Sequence, residues 1–274
     1  MALLNTAASG LQSQMARLDA IANNIANMNT IGYQSDSVSF ADKLTQVFGQ
    51  PKSVSSLPDR LTPSGLSLGT GVYALPGQRN FTAGVYRQTQ SQLDMAIQGD
   101  GFFMVGMPNG QVGYTRAGNF GASKDPQNGN FYLATRSGHY VLGSNGLPIK
   151  LTGIQLSTLH VFANGQLAAT TPTGQPVNVG QLGLAYVSAP TNALHSLGGD
   201  IYGLNPGYQT VTNAAAGAQA TRLMGTVHGS MLEMSNVNMT QEMTDMITAQ
   251  HDFQMSSQAF NIADKMMGLA DTIR

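Results

Sequence analysis

NMTQEMTDMITAQHDFQMSSQAFNIADKMMGLADTI, residues 238–273, carries a large apolar residue at every seventh position: Met239, Met246, Phe253, Phe260 and Met267. Three residues after each stand Glu242, Ala249, Ser256, Ala263 and Ala270. A helix with this period is expected to present a seam of large knobs alternating with mostly small partners. A second stripe, Met255, Ala259, Ile262, Met266, Leu269 and Ile273, keeps the same spacing on another face. One neighbour cannot cover both stripes, so at least two partners are implied. The start of the helix is well marked. Asn238 can cap its free N–H groups, Gln241 stands in a capping-box position, and Glu242 and Asp245 suit the positive end of the dipole.

The other end of the chain offers a matching helix. Met1, Ala8, Met15 and Ala22 form one heptad position, and Leu4, Leu11, Leu18 and Ile25 form the position three residues later. Asn29 and Thr30 end the pattern before Gly32, a residue suited to the left-handed conformation beyond a helix end. Burying each Leu or Met is worth about 1.5–3 kcal/mol, while ordering the backbone costs about 1–2 kcal/mol per residue. Neither helix is therefore expected to be stable alone. Such stripes can also face a core of the same chain. The double stripe favours packing between chains.

Composition narrows the classes. In 274 residues only 10% are charged and the net charge is −1, against about 25% charged in ordinary soluble domains. This balance gives no footprint for nucleic acid or an anionic membrane, and it suits surfaces buried by identical neighbours. There is no cysteine, which excludes disulfides, thiolate catalysis and Cys-based metal sites. No apolar run is long enough to span a membrane, and residues 1–11 lack the features of a cleaved secretory signal.

Between the ends the pattern changes twice. Residues 35–71 contain Pro51, Pro58 and Pro63 with Leu57, Leu61, Leu66 and Leu68, and read as an extended connector that docks in part. From Val72 onward come short apolar runs separated by turn residues. Four Asn-Gly pairs, at 109–110, 128–129, 145–146 and 164–165, are expected to close type I′ hairpins. The fold class is thus α+β. Terminal heptad helices are expected to pair as a coiled-coil-like inner domain, with a central, mainly antiparallel β domain between them in sequence. The boundaries fall at 1–34, 35–71, 72–228 and 229–274.

Nothing in the chain points to catalysis. His139, His160, His195, His228 and His251 are scattered without metal-ligand spacing. Asp94 and Asp100 are near enough in sequence to suggest a carboxylate pair, but Asp100-Gly101 reads as a turn. No phosphate loop, dinucleotide fingerprint or nucleophile elbow occurs. No catalytic, cofactor or metal residue is assigned.

The segments ANNIANMNTIGYQ (22–34), LDMAIQGDGFFMV (93–105) and LEMSNVNMTQEMTDMITAQHDFQMSSQAFNIADKMM (232–267), in this order, resemble the bacterial flagellar hook and rod family. TPSGLSLGTGV (62–72) and VGQLGLAYVSAPTNALHSLGGDIY (179–202) look most like the distal rod members. The resemblance implies a self-assembling structural subunit of the basal-body rod, outside the cytoplasmic membrane, that transmits torque from motor to hook around an export channel. It implies a helical tube of identical copies, other rod and hook proteins, ring proteins and the flagellar type III export apparatus as partners. No cofactor, nucleic acid or membrane insertion is expected. The expected seam is Leu4, Leu11, Leu18 and Ile25 against Met239, Met246, Phe253, Phe260 and Met267. Pro51, Pro58, Pro63 and Leu66 mark the connector, whose insertion is associated in the family with a straight, stiff rod. A proximal rod subunit, a hook-like flexible joint, and an exported β-domain enzyme or carbohydrate-binding module are the alternatives.

Overall fold

A computed structural model of the chain describes residues 2–42, 45–48, 66–69, 71–75, 77–126, 128–213 and 224–272. The protein is α+β, with a helix near each end, Ala2–Ala26 and Met239–Thr272, and antiparallel sheets between them. It divides into two compact units. One holds residues 1–25, 36–78 and 239–274; the other holds 26–35 and 79–238.

The second unit is built around the strand Phe102–Gly106. This strand pairs antiparallel with Val112–Thr115, Tyr140–Val141 and Leu184–Val187. Its run FFMVG is apolar at successive positions because alternate side chains of a strand point to opposite faces, and here both faces meet a core. Phe103 and Val105 join Met95, Ile97, Leu133, Leu167, Leu182 and Val227 in the larger cluster. Phe102 joins Tyr114, Val187, Leu194 and Tyr202 in the smaller one, with Phe81 packed edge-on against both Phe102 and Tyr202. A separate three-stranded sheet, His160–Val161, Gln166–Thr170 and Pro176–Gln181, contributes Leu167 and Ala169 to the larger core.

The Asn-Gly pairs stand at turns, but not of the expected type. Gly110, Gly129, Gly146 and Gly165 have φ of 77°, 66°, 74° and 78°, whereas positive φ outside glycine occurs, among the described residues, only at Ala189, Asp200 and Ser230. A type I′ turn needs two left-handed residues. Instead, in 107–111, 143–147 and 162–166 the first N–H donates to the fifth carbonyl while the glycine N–H donates back to the first carbonyl. That is a type I turn followed by one left-handed glycine. The asparagine side chain explains the preference: Asn109, Asn145 and Asn164 each accept a bond from the N–H two residues on, at 3.2, 3.1 and 3.0 Å. This local bond holds the asparagine itself out of the left-handed region. The same turn recurs at 135–139 and 171–175.

Within the β unit, residues 30–35 and 231–236 lie side by side. Gly32 N–H donates to the Glu233 carbonyl at 2.9 Å. The N-terminal helix stops at Ala26, ahead of Gly32. Gly32 has φ of 72°, and a Cβ there would come within 2.4 Å of the Ala117 nitrogen; the close approach requires glycine. Beside it lies a buried ion pair, Arg116 Nη1 to Glu233 Oε2 at 3.2 Å, with side chains only 3% and 1% exposed. Glu233 Oε1 accepts from Gly84 N at 3.2 Å and from Gln34 Nε2 at 3.3 Å. Gln34 Oε1 in turn accepts from Asn236 Nδ2, which also donates to the carbonyls of Asn80 and Thr82. Arg79 lies 5.6 Å from the Tyr33 ring centroid and 5.5 Å from that of Tyr202, within cation–π range of both.

In the other unit, Phe40–Asp42 pairs antiparallel with Val72–Ala74, and Thr45–Phe48 with Leu66–Gly69. Where described, the connector is therefore extended and paired with itself, which satisfies backbone groups that a lone strand would leave to water. Pro51, Pro58 and Pro63 lie outside the described residues.

Burial pushes the Tyr202 phenol up to about 12, against the pull of the Arg79 guanidinium. A raised acid contributes stability that is intact below its unfolded value of about 10 and is lost as pH rises to about 12. Stability of the β unit is expected to fall across that alkaline window. Tyr202→Phe should flatten the fall, as read from denaturant unfolding at stepped pH, even if the substitution lowers stability at neutral pH.

Candidate assembly site on the terminal helices

The C-terminal helix runs unbroken for 34 residues, and its heptad positions divide it into two unlike faces. Met246, Phe253, Ser256, Phe260 and Ala263 are half-buried and Ala249 is fully buried. These residues mark the face turned toward the rest of its own unit. Met243, Ile247, Met255, Ile262, Met266 and Leu269 form a stripe on another face, with exposures from 44% to 64%. Met239, counted with the seam, is 42% exposed, and the side chain of Met267 is outside the described residues.

On the N-terminal helix, Leu11, Leu18 and Ile25 are half-buried; the Leu4 side chain is outside the described residues. Ala8, Met15 and Ala22, from the companion heptad position, are exposed, Met15 by 54%. The most buried positions are instead Ser9, Ser13, Ile21 and Asn24. Their sequence signal is weak, because small and polar residues on a helix ordinarily mark its solvent face. Here they admit close backbone approach. Val72 N–H donates to Ser9 Oγ at 3.3 Å, Ser13 Oγ lies 3.5 Å from the Val72 carbonyl, and a Cβ on Gly71 would meet Ser9 Oγ at 2.4 Å. The returning strand of the connector is thus laid along the serine face of the helix.

Three polar side-chain contacts among the described residues link the two helices. Asn24 donates to the Asp36 carbonyl at 2.8 Å and to Glu242 Oε1 at 3.0 Å, while its own oxygen accepts from Asp36 N–H at 2.9 Å. Arg17 reaches Asp245 at 3.9 Å and Asp252 at 3.6 Å. Asp245 and Asp252 are seven residues apart, on one face two turns from each other. Residue 24 beside 242, and residue 17 beside 245 and 252, set the helices antiparallel. The Arg17 pairs are about one-third exposed and each is worth only about 0.2–1 kcal/mol. Asn24, at 3% exposure, is the stronger fixed point, since a buried amide must find its partners. Burial raises the Glu242 carboxyl above its usual value and Asp245 adds to the shift, while the Asn24 bond opposes it.

Of the residues weighed for chemistry, three histidines make local side-chain contacts and two aspartates make main-chain ones. His195 pairs with Asn205 at 2.8 Å, His228 with Thr226 at 3.2 Å, and the His160 ring lies 4.9 Å from that of Phe162. Asp94 bridges to Asn119, and the Asp100 carbonyl accepts from Gly225 N–H. Among the described residues no three His, Asp or Glu side chains converge as metal ligands, and no helix is long and apolar enough to cross a membrane.

Comparison with known proteins finds related families along three stretches of the chain. Residues 4–34 match the family model described as flagella basal body rod protein, residues 96–183 the flagellar hook protein FlgE/F/G D1 domain, and residues 228–273 the flagellar basal body rod FlgEFG protein C-terminal. The flagellar basal-body rod protein FlgG of Caulobacter vibrioides is 35% identical over 281 residues, covering the whole of both chains. FlgG of Borreliella burgdorferi is 30% identical over 275 residues, covering 100% of this chain and 99% of its own. The flagellar hook-basal body complex protein FlhP of Bacillus subtilis is 31% identical over 278 residues, 98% of each chain.

Asn24→Asp keeps the shape at the helix junction but removes both donors and places a carboxylate against Glu242 and the Asp36 carbonyl. Amide exchange across 20–26 and 239–246 is expected to quicken at pH 7. It should recover partly toward pH 4, where protonation of either carboxyl restores a donor and removes the repulsion. Equal loss of protection at both pH values would contradict this role for Asn24.

Proposed function

Because the chain belongs to the flagellar basal-body rod protein family, we propose that its terminal helices pack coiled-coil fashion with those of neighbouring copies, building a hollow helical tube. The protein is a structural subunit of the flagellar basal body and not an enzyme. Its contribution is mechanical: many repeated helix contacts acting together carry torque from motor to hook around an export channel. The contacts available are of two kinds. Leu11, Leu18 and Ile25 with Met246, Phe253 and Phe260 form the seam within and between subunits, to which Leu4, Met239 and Met267 extend the same spacing. The outer stripe meets a further copy.

The observation that carries this proposal is the outer stripe of the C-terminal helix. Met255, Ile262, Met266 and Leu269 are 61%, 59%, 62% and 64% exposed. Covering what is still open of each would contribute roughly 1–2 kcal/mol, about three-fifths of the value for a fully exposed side chain. Contiguous apolar surface of this kind marks an interaction face, and a self-assembling family supplies identical copies as its cover. Other rod and hook proteins, ring proteins and the export apparatus are the further partners of this reading, and its similarity to FlgG over the full length supports the distal rod.

Ile262→Asp or Leu18→Asp, each placing a charge in such a contact, is expected to abolish tube formation in electron micrographs while the melting temperature of the β unit stays put. A fall of ten degrees or more would mean that the altered position belongs to the core of the single chain.

The connector is proposed to set straightness. Proline removes backbone conformers that a flexible joint would use, and Pro51, Pro58 and Pro63 fall between the paired strands 45–48 and 66–69. Replacing residues 50–65 by a short turn, with both strands retained, is expected to leave assembly intact but yield curved or compliant tubes. Persistence length measured by electron microscopy reads this directly; unchanged straightness would reduce the connector to a spacer.

A further inference from the structure

We propose that Gln34, Glu233 and Asn236 are positioning residues that form a reciprocal clasp, through which the two chain ends seat on the β unit only together. The partners are separated by about 200 residues of sequence. Gln34 Nε2 donates to Glu233 Oε1 at 3.3 Å, and Gln34 Oε1 accepts from Asn236 Nδ2 at 3.2 Å. Two backbone N–H groups of the first segment also donate to the second: Gly32 N–H to the Glu233 carbonyl at 2.9 Å, and Ser35 N–H to the Asn236 side-chain Oδ1 at 2.8 Å.

Each end supplies what the other needs in order to be buried. Gln34 is fully buried, and the polar partners of its side-chain amide and carbonyl are Glu233 and Asn236. Seated without residues 231–236, it would hold an unpaired donor and an unpaired acceptor away from water. Seated without residues 30–35, Glu233 would lose one of two donors to Oε1, and Asn236 the donor to its Oδ1. The cluster has little slack, since Arg116 Nε is already buried without a hydrogen-bond partner. Orphaned buried groups cost their full desolvation, whereas intact networks do not. Half-seated states are therefore the expensive ones, and the two ends dock cooperatively.

The clasp also holds the β pairing around it. Gly84 N–H donates to Glu233 Oε1, and Met234 N–H donates to the Val85 carbonyl at 2.9 Å. A Cβ on Gly84 would lie 2.0 Å from the Met234 carbonyl oxygen. Loosening residues 231–236 must therefore be felt at 84–88 as well. The functional consequence rests on the assembly reading above: residues 30–35 and 231–236, which lead from and into the two helices, would be held or released together, so a subunit could not assemble with one of these segments seated and the other loose.

The test is amide hydrogen exchange on the full chain, read by mass spectrometry or NMR. In Gln34→Ala, exchange at Gly84 and Met234 is expected to quicken at least tenfold, far from the substitution in sequence, with Val105 and Leu133 unchanged. In Asn236→Ala the reciprocal effect is expected at Gly32 and Ser35. The double variant should be no looser than either single one, because both remove the same cooperative unit. Loosening confined to residues 30–36 in Gln34→Ala would overturn the clasp, as would equal loosening of Val105 and Leu133, which would show only a loss of global stability. Tube formation is scored separately: tubes of normal geometry from a variant with both ends loosened would overturn the link to assembly while leaving the clasp intact.

Discussion

The buried pair of Arg116 and Glu233 is the constraint around which residues 30–35 and 231–236 are arranged within the β unit. An ion pair this deep is no gain in itself, because the desolvation of two charges offsets their attraction. It is tolerated because surrounding groups complete it: Gly84 and Gln34 donate to the carboxylate, and the Phe102 ring centroid lies 5.3 Å from the guanidinium carbon. Those supporting groups come from three distant stretches of sequence. Satisfying one carboxylate therefore draws together the segment after the first helix, the strand region near residue 84 and the segment before the last helix.

The helices obey a different economy. Their polar contacts are few and partly exposed, so what binds them is apolar surface, and much of it is left open. On the C-terminal helix the half-buried heptad face and the exposed stripe are both continuous over several turns. A helix made only to close a domain has one apolar face; this one has two. The low charge of the chain suits the assembly proposed above, in which surfaces covered by identical copies would be better left without like charges.

The β unit shows the same division between local and distant causes. Five of its turns share one form, in which a single left-handed glycine follows a type I turn and the preceding asparagine, serine or threonine needs no unusual backbone. The hub strand is apolar at consecutive positions because it stands between two clusters, a feature that alternation rules for a half-buried strand would miss.

What the sequence by itself determined lies close to the chain: the heptad spacing that makes both ends helical, the glycine-marked turns, and the family signature at 22–34, 93–105 and 232–267. These are encoded by residues within a few positions of each other, so period and turn chemistry reveal them. The tertiary structure decided the rest. It selected Leu11, Leu18 and Ile25 rather than Ala8, Met15 and Ala22 for burial, put Ser9, Ser13 and Asn24 at a packed face, folded the connector onto itself, and assembled Arg116, Glu233, Gln34 and Asn236 into one network. Helical spacing gives the faces but not which of them meets a neighbour. A polar side chain reads as solvent-facing until a partner some two hundred residues away makes its burial affordable.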